Sequence, residues 1–158
     1  MLLSTAAIDH ERMNTLPDDL TIEDLLPHRG GMLLIDEIVI LSLEKTVTRS
    51  VVSSRWPLID GPGVRPLILV ELAAQTAGIN NGWQNRLTHG AAANQGGWIV
   101  GVKNASFAVD HLPLDAEIVV TSENRFEFEG FREVQAVATI DGLPAAEITL
   151  QLMQAETT

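Results

Sequence analysis

The chain of 158 residues has no cysteine, which removes disulfide staples, thiolate zinc sites and cysteine nucleophiles together. It also lacks long apolar runs: Asp36, Glu44 and Glu71 interrupt the hydrophobic stretches well short of the roughly 18 residues that a membrane-spanning helix needs. Basic residues are few. Ten Lys and Arg stand against 21 Asp and Glu, a formal charge of −11 that repels phosphate backbones and argues against nucleic-acid recognition. Met1–Ile8 is too short for a secretory signal and carries no Lys or Arg ahead of its apolar residues, so a cytoplasmic protein is expected. His10, His28, His89 and His111 fall in no close metal-binding spacing, and no metal ligand set is expected. The G-x-S-x-G elbow and the phosphate-cradling G-x-x-x-x-G-K-S/T loop are missing too, which removes the commonest hydrolase and nucleotide-dependent readings.

What is present is enough for one ordinary core. Hydrophobic residues make up 46% of a 17.1 kDa chain, and a domain of this length buries roughly 70% of its unfolded-chain surface. The charge is unevenly spread. Between residues 45 and 109, Lys45, Arg49, Arg55, Arg65, Arg86 and Lys103 face only Asp60 and Glu71, so the middle third is locally positive in an acidic chain. Scattered surface arginines account for this as readily as a docking surface does.

Residues 1–20 show no sustained period and read as a leader, with a single domain over 21–158. Thr21 can cap a short helix that Pro27 stops. Met32–Leu43 reads as a buried strand and Lys45–Ser53 as its antiparallel neighbour. Pro57, Gly61, Pro62 and Gly63 mark a loop between Arg55 and Arg65. Pro66 then opens the one long helix, which runs to about Arg86, with Glu71 in its second turn and Glu71, Gln75 and Gly78 on one face. After a Gly- and Ala-rich loop over His89–Gln95, strands follow at Gly97–Val109, Glu117–Phe128, Phe131–Ile140 and Ala145–Met153, with hairpin signals at Glu129-Gly130 and Asp141-Gly142. The order is two strands, a long helix and four strands, which predicts an α+β fold with a largely antiparallel sheet covering the helix.

Two features could carry chemistry. In Leu26-Pro27-His28-Arg29-Gly30-Gly31-Met32-Leu33-Leu34-Ile35-Asp36, a polar, turn-forming tetrad leads into an apolar segment. A His in that place serves either as a catalyst or as a hydrogen-bonded structural residue. Glu71 is a carboxylate in an otherwise apolar helix: burial would make it a general acid or base near neutral pH, whereas the helix N-terminus could simply satisfy it.

Leu26–Asp36 resembles the opening motif of the β-hydroxyacyl-acyl carrier protein dehydratases of the hotdog fold, and Glu71-Leu72-Ala73-Ala74-Gln75-Thr76-Ala77-Gly78 resembles the start of their central helix. The closer resemblance is to a divergent branch, the dehydratase-like proteins associated with aryl polyene gene clusters. It implies a hotdog, a curved sheet wrapped around one helix, paired as a dimer with an acyl tunnel along the interface. It also implies loss of water from a 3-hydroxyacyl thioester, on an acyl carrier protein or coenzyme A, with no cofactor. Glu71 would be the acid–base residue and His28 the second group, with Arg55, Trp56, Val64, Pro66, Leu67 and Gln75 binding substrate. Two departures stand out. Arg55-Trp56-Pro57 occupies the place of the family's His-Phe-Pro loop, and Pro66, which has no N–H, stands where the family presents one to the thioester carbonyl. They leave open a second role, a catalytically impaired subunit in a heterodimer with an active dehydratase. A thioesterase, with Glu71 activating water, is a third.

Overall fold

Alternation of inward and outward side chains builds the sheet that positions everything else. The computed structural model describes residues 16–91 and 96–155. Most of the expected leader, and residues 92–95 of the loop after the helix, lie outside the described residues. Strands β1 (Glu37–Leu41), β2 (Lys45–Val51), β5 (Gly97–Phe107), β7 (Glu117–Phe128), β8 (Phe131–Ile140) and β9 (Leu143–Gln154) form an antiparallel six-stranded sheet in the order β1-β2-β7-β8-β9-β5. Three two-residue strands, β3 (Ile59–Asp60), β4 (Gly63–Val64) and β6 (Leu112–Pro113), make a separate small sheet.

Helix α2 (Ile68–His89) lies on the inner face. That face carries Thr46, Thr48 and Ser50 from β2, Ile118, Val120 and Ser122 from β7, Val134, Ala136 and Ala138 from β8, and Ala146, Ile148 and Leu150 from β9, all buried. The helix answers with Leu69, Leu72, Ala73, Thr76, Ala77, Ile79 and Asn80. Polar residues on both sides are matched: Thr48 and Thr76 hydroxyls lie 2.8 Å apart, and Asn80 Nδ2 donates to the Ser42 carbonyl at 2.7 Å and to Thr46 Oγ1 at 3.2 Å. A buried polar group left unmatched would cost about 1–3 kcal/mol, so these pairs fix the rotation of α2 on the sheet.

The hotdog expectation holds, with three local differences. The helix starts at Ile68 and Glu71 sits in its first turn, because Pro66 and Leu67 form the preceding turn in which Ile68 N–H and Leu69 N–H bond the Arg65 and Pro66 carbonyls. The expected strand from Met32 begins only at Glu37. Gly30–Met32 is a 3₁₀ turn, and the backbone after it bonds a helix side chain instead of a strand, with Leu34 N–H donating to Gln75 Oε1 at 3.1 Å and Gln75 Nε2 donating to the Met32 carbonyl at 2.7 Å. The expected loop 55–65 contains the short β3–β4 pair. Both hairpin turns form with successive positive φ angles, at Glu129-Gly130 and Asp141-Gly142, the type that matches strand twist.

The sheet's two edges are unlike. β5 pairs on one side only, with β9, and leaves Trp98, Ile99, Val100 and Val102 between 43% and 60% exposed. Consecutive apolar residues cannot all face inward on a strand, so this edge presents apolar side chains on both faces.

Candidate active site

The site begins with a short helix that cannot continue. Helix α1 (Ile22–Leu25) ends at Leu26, and Pro27 follows. Arg29 then gathers the loose carbonyls: Nη1 donates to Leu26 O at 2.5 Å and to His28 O at 2.8 Å, and Nη2 donates to Glu23 O at 3.0 Å. A cation at a helix C-terminus is favoured by the dipole as well as by the bonds. The end of α1 also lies directly on α2. A Cβ at Gly82 would stand 2.3 Å from the Leu25 carbonyl oxygen, and one at Gly78 2.8 Å from Leu26 Cδ2. Glycine is what lets the two helices approach so closely.

This packing carries His28 onto the first turn of α2. His28 Nε2 lies 3.1 Å from Glu71 Oε1, each side chain about a third exposed at 31%. Gln75, fully buried and one turn on, donates from Nε2 to the same Glu71 oxygen at 3.0 Å while holding Met32 and Leu34. Gln75 thus fixes Glu71 Oε1 by a hydrogen bond while His28 Nε2 lies at ion-pair distance from the same oxygen, and Oε2 makes no hydrogen bond among the described residues. For His28 to donate to Glu71, its Nε2 must carry the proton. Its Nδ1 is buried and without a hydrogen-bond partner.

The pair opens into a cavity of about 340 Å³. Glu71, Ala74, Gly78 and Asn81, spaced three or four apart, supply one helical stripe of the wall. Pro27 and His28, Trp98 and Ile99 of β5, and Arg132 and Met153 are among the other lining residues.

Of the residues expected in the site, Glu71, His28 and Gln75 come together. The other five lie apart from this cavity. Trp56 and Val64 are buried in the hydrophobic core, Leu67 is 60% exposed, and Arg55 and Pro66 are not among the lining residues. Arg29, Asn81 and Arg132 were not anticipated. A signal for Arg132 existed: it continues, at a period of two, the inward row of Val134, Ala136 and Ala138. Asn81 sits three residues beyond Gly78 on the face already marked by Glu71 and Gln75. Arg29 had no local signal, since its partners are carbonyls placed by the turn. The described residues contain no cluster of three or more potential metal ligands, and no helix among them is long and apolar enough to cross a membrane.

Residues 20–158 match the ApeP-like family, described as ApeP dehydratase. The chain belongs to the ApeP-like dehydratase family. Among the relatives of this ApeP-like chain is a 3-hydroxyacyl-acyl-carrier-protein dehydratase, FabZ, of Streptococcus agalactiae, 29% identical over 136 residues that cover 82% of the chain and 91% of the relative. Among solved structures, the dehydratase heterocomplex ApeI:P of Xenorhabdus doucetiae superimposes with a TM-score of 0.79 at 18% identity, over 87% of this chain and 93% of that one. A hypothetical thioesterase with coenzyme A from Streptococcus pneumoniae shares the fold at a TM-score of 0.58 and 13% identity, over 77% of this chain and 86% of that one.

Proposed function

We propose that this chain acts on 3-hydroxyacyl thioesters, removing water to leave the 2,3-unsaturated acyl group, with His28 and Glu71 moving the protons. The observation that carries this reading is the 3.1 Å contact between His28 Nε2 and Glu71 Oε1 at the cavity wall. Elimination needs a base for the proton on carbon two and an acid for the hydroxyl on carbon three. Taken as a carboxylate–imidazolium pair, the dyad supplies both. Glu71 takes the proton, the carbon–oxygen bond breaks as the double bond forms, and His28 gives its proton to the departing hydroxyl, which leaves as water. Glu71 is then protonated and His28 neutral, and one proton passing back across the contact restores the pair. The family's loop histidine is thereby replaced by one from the opening motif.

The substrate would arrive on an acyl carrier protein or coenzyme A in the cytoplasm. Exposed Arg55 and Arg65 belong to the positive middle third, which suits an acidic carrier; Arg65 is partly engaged by Asp60 at 3.3 Å. The apolar free edge at β5 supports pairing with a second chain, and its Trp98 and Ile99 form part of the cavity wall.

A second reading has its own observation. Pro66 offers no N–H to the thioester carbonyl, and a related fold occurs in a dehydratase heterocomplex. On that reading the chain binds acyl thioester and supports an active partner. Incubating the purified chain alone with 3-hydroxybutyryl pantetheine thioester, and following absorbance of the unsaturated product, separates the two. Turnover that disappears in both His28→Ala and Glu71→Gln supports the dyad. Binding without turnover supports the partner role, and release of free acid supports a thioesterase.

A further inference from the structure

Arg132 is an unusual residue for its position. The inward row of β8 runs Arg132, Val134, Ala136, Ala138, and a guanidinium continues a stripe that is otherwise aliphatic. It is only 5% exposed. A buried charge is costly unless closely paired, and its pairing here is loose. Nη1 reaches Asn80 Oδ1 at 3.4 Å, but that oxygen already accepts from Gln84 Nε2 at 2.7 Å and from Asn124 Nδ2 at 3.0 Å, which occupy its two lone pairs. Nη2 reaches Gln84 Oε1, also at 3.4 Å. Its one ion pair among the described residues, with Glu127 Oε1 at 3.2 Å, uses a carboxylate that is half exposed to solvent.

Arg132 also lines the cavity that holds the dyad. Glu71 and Asn81 mark two ends of the helical stripe in the wall, ten residues apart and so about 15 Å along the α2 axis. Arg132 contacts α2 at Asn80 and Gln84, at the Asn81 end. Asn81 also lines that end and makes no hydrogen bond among the described residues. The cavity therefore has proton-transfer groups at one end of the helical stripe and the polar side chains of Asn81 and Arg132 at the other, with Ala74 and Gly78 between them on the helix.

We infer that Arg132, with Asn81, is a specificity residue that reads an oxygen acceptor at the far end of the acyl chain, so that tail-oxygenated acyl thioesters are preferred over plain alkyl ones. A carboxylate would be the strongest partner, since charge-assisted bonds to a guanidinium are roughly twice as strong as neutral ones. A hydroxyl would be next. This rests on the reading of the cavity as an acyl-thioester site.

The test is a binding comparison that needs no turnover. Dodecanoyl, ω-hydroxydodecanoyl and dodecanedioyl pantetheine thioesters are titrated against the purified chain by calorimetry; their saturated chains carry no hydroxyl on carbon three and cannot dehydrate. The dioyl probe is expected to bind about tenfold or more tighter than the alkyl probe, with the hydroxyl probe between. Arg132→Met should remove that preference, bringing the three probes to equal affinity, and Arg132→Lys should restore part of it for the dioyl probe alone. A merely structural role for Arg132 would weaken all three probes alike. If Arg132→Met does not fold, Arg132→Gln tests the same ratio with a hydrogen-bonding side chain. Equal binding of all three probes by the wild type overturns the inference and leaves the acyl site standing. Failure to bind any of them overturns the acyl site and this inference with it.

Discussion

Two segments lead towards α2, and both carry residues suited to a dehydratase site, yet only one reaches the cavity. Leu26–Met32 is held from three directions: Arg29 on its carbonyls, Gln75 on its backbone, and the glycine face of α2 beneath Leu25 and Leu26. With Leu26 buried against the helix, the polar side chain of this segment that reaches Glu71 is His28. The segment Ser53–Val64 is anchored differently. Trp56 and Val64 enter the core, and Val64 pairs with Leu112 of β6, so the segment is tied to the core and not to the cavity wall. The difference teaches that a loop's nearness in sequence to a helix does not decide which loop brings a side chain to its carboxylate. The helix face left open by the core decides it.

Breaking the dyad should have the largest effect. Glu71→Gln keeps shape and the Gln75 contact but cannot carry the proton, and turnover of 3-hydroxybutyryl pantetheine thioester should fall about a thousandfold with the thermal melt unchanged. A variant within a few-fold of wild type would remove Glu71 from the chemistry. Next comes the direct contrast between segments. His28→Ala should lose on the order of a hundredfold in turnover, whereas Arg55→Ala should change it by no more than about twofold, surface substitutions being nearly silent. The opposite ranking would move the site to the second segment.

A smaller effect is expected at the seat of the first segment. Gly82→Ala forces a Cβ against the Leu25 carbonyl, for which 2.3 Å leaves no room, and should destabilise by about 1–3 kcal/mol in chemical denaturation. Because Leu25 leads directly to His28, turnover at a temperature where the variant is fully folded should fall as well. An unaltered rate would show that the placement of α1 does not control the dyad.

The smallest effect concerns pH. Backbone and side-chain hydrogen bonds from Thr21 to Asp24 hold the Asp24 carboxyl below its ordinary value of 3.8. A group depressed in the folded state adds stability that is complete above its unfolded pKa and lost as pH falls through the folded one. The melting difference between wild type and Asp24→Asn should therefore be constant near neutrality and close as the pH falls from about 3.8 through the lowered folded value. A difference independent of pH down to full protonation would show that this cap is not ionic.

Much of this was open to the sequence because it depended on periodicity and turn chemistry, which are local. The inward alternation of Ile118, Val120 and Ser122, the helix running on from Ile68, and the positive-φ turns at Gly130 and Gly142 follow from neighbours a few residues away. So does the shared face of Glu71, Gln75 and Gly78. The opening motif and the helix start also sufficed to indicate the hotdog fold and the dehydratase family. What only the tertiary structure decided were relations between distant segments. The strand expected from Met32 gave way because Gln75, 43 positions on, satisfied the backbone that a strand would have paired. The contact of His28 with Glu71 depends on two glycines of α2 admitting the end of α1, and Arg132, far later in the chain, shares a cavity wall with His28 only through the folding of β8. Local propensity has no term for such contacts: they arise when side chains far apart in the chain compete for the same buried space and the same few hydrogen-bonding groups.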